Sequence, residues 1–273
     1  MIIMTNIMES LYNIRILDEL AEKRTVIHNI HPLIKLLTTI AYVIITVSFG
    51  KYELSNLLPL LFYPIVIITL AEIPVIPILK RILVVLPFII GIGVFNPLFD
   101  PEPMLVFLGL QISGGWVSFL SIIIKGFLTL LAALILISTT GMTWIASALR
   151  LLRIPRLFVL QLLLTYRYIS VIMEEAGRTW NAYMLRAPGQ QGVSFKISGP
   201  LAGQLLMRTY DRAQRVYQAM SLRGFIGEYN PGEVKKVTVK DCLFLGGWVA
   251  FFSVCRYINL PALIGSVVTG VMT

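Results

Sequence analysis

The chain has 273 residues, of which 57% are hydrophobic and only 14% are charged. Soluble domains carry roughly 25% charged residues, so this composition excludes an ordinary soluble domain and indicates a polytopic membrane protein. Residues 150–240 contain 14 of the 23 Lys and Arg residues but only 5 of the 14 acids, so the whole net charge of +9 falls in this segment. In a membrane protein, the positive-inside rule explains such a basic segment better than nucleic-acid binding does.

Residues 1–32 are predicted to form a cytoplasmic N-terminal segment. They mix acids and bases without an apolar core, a pattern that argues against a cleavable signal peptide. His28 and His31 stand three residues apart and two imidazoles could ligate a metal, but no convincing third ligand stands beside them. We therefore interpret them as interfacial histidines before a helix, with Pro32 in its first turn.

Residues 33–140 are predicted to form four transmembrane helices. Each apolar run reaches roughly the 20 residues that a bilayer core of about 30 Å requires. The four runs cover residues 33–50, 54–71, 82–99 and 116–140.

The charges of the connecting loops predict the topology of these spans. Lys80 and Arg81 place the second loop inside, whereas the loop from Asp100 to Gly115 has two acids and no Lys or Arg and is placed outside. The N-terminus and residues 141–240 then both lie on the cytoplasmic side.

Lys125 lies inside the fourth span, where an ionisable residue is a functional-site candidate by default. It also follows Trp116 by only nine residues, close enough to the outer interface for its ammonium to snorkel there. The sequence leaves both interpretations open.

Residues 141–240 are predicted to be a cytoplasmic domain of amphipathic docking helices, and 241–273 a C-terminal segment with a final span at 242–258. Residues 157–173 are apolar, but a helix packed under the membrane is favoured over a span. A span here would put parts of the basic segment that are equally rich in Lys and Arg on opposite sides of the membrane. Residues 190–200 are rich in Gly, Ser and Gln and are predicted to be a connector. The predicted fold is all-α, with about five transmembrane helices.

One pattern occurs twice in the basic segment. From Glu174, and again from Asp211 with an offset of 37 residues, an acid, an Arg, an Ala and a second Arg recur every four residues. In a helix this spacing puts the four side chains on one face. The first stripe is Glu174, Arg178, Ala182 and Arg186, and the second stripe is Asp211, Arg215, Ala219 and Arg223.

Each stripe ends on an Arg at a predicted helix end. Ala187-Pro188-Gly189 follows the first stripe and Gly224 follows the second, as is typical after a helix C-terminus. The acid precedes the first Arg by four residues, the better order for a helical ion pair. A single charged face is ordinarily just solvated, but two copies that share Ala-x-x-Leu-Arg favour twin helices that dock another chain.

Motifs for catalysis or for metal binding are missing from the sequence. It has no Walker A, Gly-x-Ser-x-Gly, His-Glu-x-x-His or Cys-x-x-Cys pattern, and Cys242 and Cys255 show neither a disulfide framework nor zinc spacing. We therefore expect no catalytic residue, no metal site and no cofactor, and the energy for any active transport must come from a partner.

The twin motifs, set between four N-terminal spans and one C-terminal span, resemble the transmembrane T component of energy-coupling factor transporters. The resemblance covers about residues 28–260, and its specific motif is Ala219-Met-Ser-Leu-Arg223-Gly224-Phe. The run Asp211-Arg-Ala-Gln-Arg-Val-Tyr-Gln-Ala-Met looks most like the cobalt/nickel, CbiQ-like branch.

The chain departs from the family pattern in two places. Arg186 is followed by Ala187-Pro188 where the family has Gly. Before the first span, the family tends to have Asp-Pro-Arg-x-Lys, which is matched here only by Pro32 and Lys35.

The resemblance implies a coupling subunit and not an enzyme. Two cytosolic ABC ATPase subunits would dock on the helices, with Arg186 and Arg223 each entering a groove of one ATPase through charge-assisted hydrogen bonds. A separate small membrane protein, the S component, would bind the substrate and be reoriented when the ATPases close. The implied docking surfaces also include Arg178, Ala182, Arg215, Ala219 and Gly224.

These partners, together with membrane lipid and without nucleic acid, place the chain in a prokaryotic plasma membrane. Two other classes of protein remain as alternatives. An independent secondary transporter would need intramembrane charges, of which Lys125 is one, and a membrane enzyme would need a cluster built from residues such as His28, His31 and Asp100. Cobalt or nickel follows from the branch alone, and a T component shared among vitamin transporters is the alternative.

Overall fold

The computed structural model describes residues 18–23, 25–99, 103–107, 110–186, 195–225, 227 and 236–258. The chain divides into two compact units. The membrane unit comprises Leu20–Gly141 and Lys235–Thr273, and the basic unit comprises Met1–Glu19 and Met142–Val234.

The membrane unit is built from helices joined by short loops. In chain order its elements are α1 (Pro32–Ser48), a 3₁₀ segment (Ser55–Leu61) that runs into α2 (Phe62–Leu70), α3 (Val75–Gly93), α4 (Asn96–Phe99), β1 (Pro103–Phe107), β2 (Leu110–Ser113), α5 (Gly114–Thr140) and, after the basic unit, α9 (Val239–Tyr257). The basic unit contributes α6 (Met142–Leu151), α7 (Arg156–Arg186) and α8 (Phe195–Leu222).

The structure confirms the helical membrane class, since helices occupy all five predicted spans. By length and composition, three of the described helices could cross a membrane, namely α3, α5 and α7. The predicted outer loop contains a short antiparallel hairpin, β1 paired with β2, which the sequence prediction of a loop did not include.

Two boundaries differ from those predicted. The third helix begins at Val75, so Lys80 and Arg81 lie inside its first turns and not in the preceding loop. Pro74 ends the loop in an extended conformation and the helix starts directly after it. The predicted connector at 190–200 likewise gives way to α8 at Phe195.

Residues 157–173 belong to a single helix of 31 residues that continues through the first stripe. Its apolar half accounts for the place of α7 among the helices able to cross a membrane. The cytoplasmic placement of residues 141–240 stays a prediction.

The core of the membrane unit forms around α1, which packs against α5 and α9, while α3 packs against α5. The close approach of α3 and α5 depends on glycine, because a Cβ at Gly126 would come within 2.9 Å of the Ile89 side chain. Aromatic rings fill the space between α1, α2 and α9, with Tyr42, Tyr63 and Phe252 in mutual contact at centroid distances of 4.8 to 5.3 Å.

Tyr42 forms a hydrogen bond to the main chain where the 3₁₀ segment runs into α2. Leu60 lies in the 3₁₀ segment four residues before Pro64, which has no N–H to donate. The fully buried Tyr42 hydroxyl donates to the carbonyl of Leu60 at 3.2 Å. A buried carbonyl without a partner is costly in a membrane, so this bond helps to specify how α1 packs against α2.

The charged side chains of the membrane unit cap helix ends. Lys125 donates from α5 to the carbonyls of Phe49 at 2.5 Å and Gly50 at 3.3 Å, just past the end of α1. Arg256 donates from α9 to the carbonyl of Ser48 at 3.3 Å and lies over the Phe49 ring. Cations are favoured at this negative end of a helix dipole, so Lys125 has a structural partner within its own unit.

Candidate partner-docking site

The two stripes occupy equivalent places at the C-terminal ends of two helices. The first stripe closes α7, which ends at Arg186, and the second closes α8, which ends at Leu222 with Arg223 in the following turn. The helices α7 and α8 contact each other within the basic unit. The first stripe therefore lies wholly on one helix, and the second lies on one helix as far as Ala219, with Arg223 in the turn that follows.

All eight stripe residues are exposed, and none of them contributes to a core. Over its described side chains, α8 has no buried residue, and six of its positions are half-buried. These half-buried positions are Ile197, Leu201, Leu205, Thr209, Val216 and Met220. On both helices the stripe residues themselves are open to solvent.

Among the described residues, Glu174 and Arg178 do not form the ion pair that their spacing predicts. Arg178 instead pairs with Glu175, three residues before it, with Nη2 2.8 Å from Oε2. The other oxygen of Glu175 accepts from Arg208 of α8 at 2.6 Å, so this carboxylate joins the two helices. The hydrogen bonds from Arg178 and Arg208 hold the pKa of the Glu175 carboxyl below its usual value.

Arg178, a predicted docking residue, also has a local contact in the structure, and its docking role stays a prediction. Its guanidinium positions Glu175 for the bond to α8. In the second stripe, Asp211 and Arg215 form no ion pair within the described part of the chain. The two stripes are therefore alike in sequence but differ in their ion pairs.

Gly224 ends α8 in a left-handed conformation, with φ of +78°. Phe225 N–H donates to the Met220 carbonyl and Gly224 N–H to the Ser221 carbonyl, both at 3.0 Å, which is the Schellman pattern. Glycine adopts this φ without a Cβ clash. The cap fixes the backbone at Arg223, as the sequence predicted, whereas Ala187-Pro188-Gly189 lies outside the described residues.

Two leucines belong to the same surfaces and were not among the predicted site residues. Leu185 is 83% exposed and Leu222 is 89% exposed, each directly before the terminal Arg of its stripe. An exposed leucine thus recurs at the same position of both copies. The signal was present in the shared Ala-x-x-Leu-Arg pattern. Each surface therefore combines a small, an apolar and a cationic side chain.

His28 and His31 both form side-chain hydrogen bonds with main-chain groups. His28 Nε2 lies 3.0 Å from the Leu20 carbonyl, which can only accept, so Nε2 carries the hydrogen and Nδ1 accepts from the Thr25 hydroxyl at 2.7 Å. Burial, and secondly the charge of Lys35, lowers the pKa of the His28 imidazole. His31 Nδ1 accepts from the Leu33 N–H at the start of α1. Across the described ranges, no three His, Cys, Asp or Glu side chains come together as a metal site.

Comparison with known proteins agrees with this architecture. Residues 23–234 match the family model of CbiQ, described as cobalt transport protein. An uncharacterised protein of Methanocaldococcus jannaschii is 24% identical over 232 residues, which cover 80% of this chain and 78% of that protein. The nickel permease LarQ of Lactiplantibacillus plantarum is 26% identical over 117 residues, which cover 41% of this chain and 43% of the permease.

The family match includes both stripes, α1 to α8 and the helix-end contacts of Lys35 and Lys125. It covers well over half of the sequence, in a chain whose helices form a membrane unit and an exposed basic unit. This protein belongs to the CbiQ family of cobalt transport proteins.

Proposed function

We propose that this chain is the transmembrane coupling subunit, the T component, of an energy-coupling factor importer. The observation that carries the proposal is the pair of matching exposed surfaces at the ends of α7 and α8, each with an Ala, an open Leu and a terminal Arg. Two equal surfaces on one chain suit two equal partners, and two ABC ATPase subunits are such partners.

Each surface fits a groove that has an apolar floor and an acidic or carbonyl edge. The leucine would be buried in the floor, and the guanidinium would form forked hydrogen bonds at the edge. When the ATPases close on ATP, α7 and α8 move with them. The membrane unit then passes this motion to a small membrane S component that holds the substrate.

Cobalt or nickel is the substrate class that the family favours, since the family is described as cobalt transport and one relative is a nickel permease. The metal would travel on the S component. A T component shared among vitamin transporters is the alternative substrate assignment. An independent secondary transporter loses its support from Lys125, because that ammonium caps the end of α1.

The decisive experiment replaces the terminal arginines of both stripes together, Arg186→Glu and Arg223→Glu. We expect the ATPases to be lost from a detergent pull-down, because both grooves would meet the wrong charge. The matched control is Arg167→Glu with Arg212→Glu, which makes the same charge change on the same two helices at exposed positions off the stripes. Equal ATPase recovery from both double variants would refute the docking role.

A further inference from the structure

The chain passes between the membrane unit and the basic unit three times. The crossings lie between residues 19 and 20, 141 and 142, and 234 and 235. Inside the membrane unit, one short segment, residues 28–35, forms a hydrogen bond close to each of these crossings. We call this segment the junction segment.

The first crossing is held by His28. The imidazole Nε2 donates to the carbonyl of Leu20, the first residue of the membrane unit, at 3.0 Å. Leu20 is itself buried, so this end of the crossing is anchored by packing as well as by the hydrogen bond.

The second crossing is held by Lys35, a lysine that is only 5% exposed. Its ammonium donates to the Thr139 carbonyl at 2.7 Å, two residues before Gly141. That carbonyl belongs to the last turn of α5 and has no partner within its own helix. A buried ammonium donates a short and directional hydrogen bond to such an acceptor.

The third crossing is held through Asp241. One carboxylate oxygen accepts from the His31 N–H at 3.0 Å and the other accepts from the Thr238 N–H at 2.8 Å. Thr238 is the N-cap of α9, three residues after the crossing ends at residue 235, and forms a capping box with Asp241. The start of α9 is thereby fixed to the start of α1.

We propose that the junction segment is the node through which a displacement carried by the three crossings reaches the membrane helices, with Lys35 as its main positioning residue. This inference rests on the proposed coupling function. It follows because three hydrogen bonds, each close to a different crossing, all involve these eight consecutive residues, which lead into α1. Since α1 packs against both α5 and α9, a shift of this segment moves the core of the unit.

The test replaces Lys35 in the reconstituted complex with its ATPases and S component. Lys35→Met removes the ammonium and keeps a similar length, and Lys35→Arg restores a cation that can reach the carbonyl. The control is Lys51→Met, an exposed cation beyond the other end of α1. Three quantities are measured for each variant: ATPase recovery in a pull-down, ATP hydrolysis, and uptake of cobalt(II) or nickel(II) into liposomes.

We expect Lys35→Met to retain the ATPases and to hydrolyse ATP, while uptake per ATP hydrolysed falls by roughly thirtyfold, the equilibrium weight of one hydrogen bond to a charged group. Lys35→Arg should recover most of the ratio and Lys51→Met should keep it. A role confined to folding would lower the amount of complex and leave this ratio unchanged, and that result would overturn the proposal.

Failure of the proposed function looks different, because the wild-type chain would then recover no ATPase at all. If Lys35→Met does not accumulate in the membrane, Asp241→Asn decides the matter, since it removes one of the two carboxylate acceptors at the third crossing. An uptake ratio for Asp241→Asn equal to that of the wild type would also overturn the proposal.

Discussion

Three cations of the membrane unit and the terminal arginines of the two stripes use positive charge in opposite ways. In the membrane unit, Lys35, Lys125 and Arg256 all donate to main-chain carbonyls at the ends of neighbouring helices. In the basic unit, Arg186 and Arg223 point away from any core and form no ion pair among the described residues. The same residue types thus complete the backbone in one unit and face outward in the other.

The difference follows from the cost of an unpaired group in each setting. A carbonyl without a partner costs several kcal/mol in an apolar environment, so a cation that caps it contributes to folding. A cation in water needs no partner, and exposed ion pairs contribute about 0 to 1 kcal/mol. The exposed terminal arginines, Arg186 and Arg223, therefore contribute little to folding.

The largest effect that would sharpen this comparison comes from the open leucines. We expect Leu185→Ser with Leu222→Ser to weaken the binding of each ATPase by about thirtyfold, because each ATPase loses one buried leucine side chain, which contributes roughly 2 kcal/mol. The thermal stability of the chain should not change, since neither side chain packs against the core. Affinity is measured by titrating the purified ATPase onto the detergent-solubilised chain.

The control for this prediction is Leu206→Ser, an exposed leucine of α8 outside the second stripe. It removes one exposed leucine from α8, whereas the tested pair removes one leucine from α7 and one from α8. If Leu206→Ser weakened ATPase binding as strongly as the pair at 185 and 222, binding would depend on general hydrophobicity and the stripes would lose their special status.

The next effect tests the membrane unit. Lys125→Met should lower the free energy of unfolding by about 2 kcal/mol, the usual loss for a hydrogen bond to a charged group, since the Phe49 carbonyl keeps no equivalent donor. The midpoint of thermal unfolding in detergent measures the loss. ATPase recovery in the pull-down should stay at the wild-type level.

Lys80→Met is the matched variant, because Lys80 is an exposed cation of α3 in the same unit. It should leave the midpoint nearly unchanged. A stable Lys125→Met chain with abolished uptake would reverse the assignment and return Lys125 to the role of a transport residue.

Much of the fold was predictable because the deciding signals are local. Apolar runs of sufficient length predicted the helices, four-residue spacing predicted the two faces, and Gly224 predicted the end of α8. Such features depend on residues within a few turns of one another. Leu222 could have been found by the same reasoning, since the motif places it one residue before Arg223.

The partners of individual charges could not be predicted, because they depend on which helices are neighbours. Glu174 and Glu175 are both within reach of Arg178 along α7, and it is Arg208 on α8 that makes Glu175 the better choice. In the same way, Lys125 has a capping role only because the end of α1 lies beside α5. A single sequence records the charge and its helix but not the acceptor on the next helix.

The smallest expected effect tests whether a neutral side chain also stabilises the membrane unit through a hydrogen bond to a main-chain carbonyl. Tyr42→Phe keeps the aromatic ring and removes the hydroxyl that donates to the Leu60 carbonyl. We therefore expect the free energy of unfolding to fall by about 1 kcal/mol, the usual net contribution of a neutral hydrogen bond.

Tyr63→Phe is the matched control in the same aromatic cluster. Its hydroxyl lies 3.5 Å from the Thr39 hydroxyl, which already donates to the Lys35 carbonyl, so its removal leaves no orphaned carbonyl and should cost less. The two unfolding midpoints are compared under one detergent condition. Equal losses would mean that the bond to the Leu60 carbonyl has no special weight, and the contrast between a unit that satisfies its backbone internally and one that exposes its charges would then rest on the cations alone.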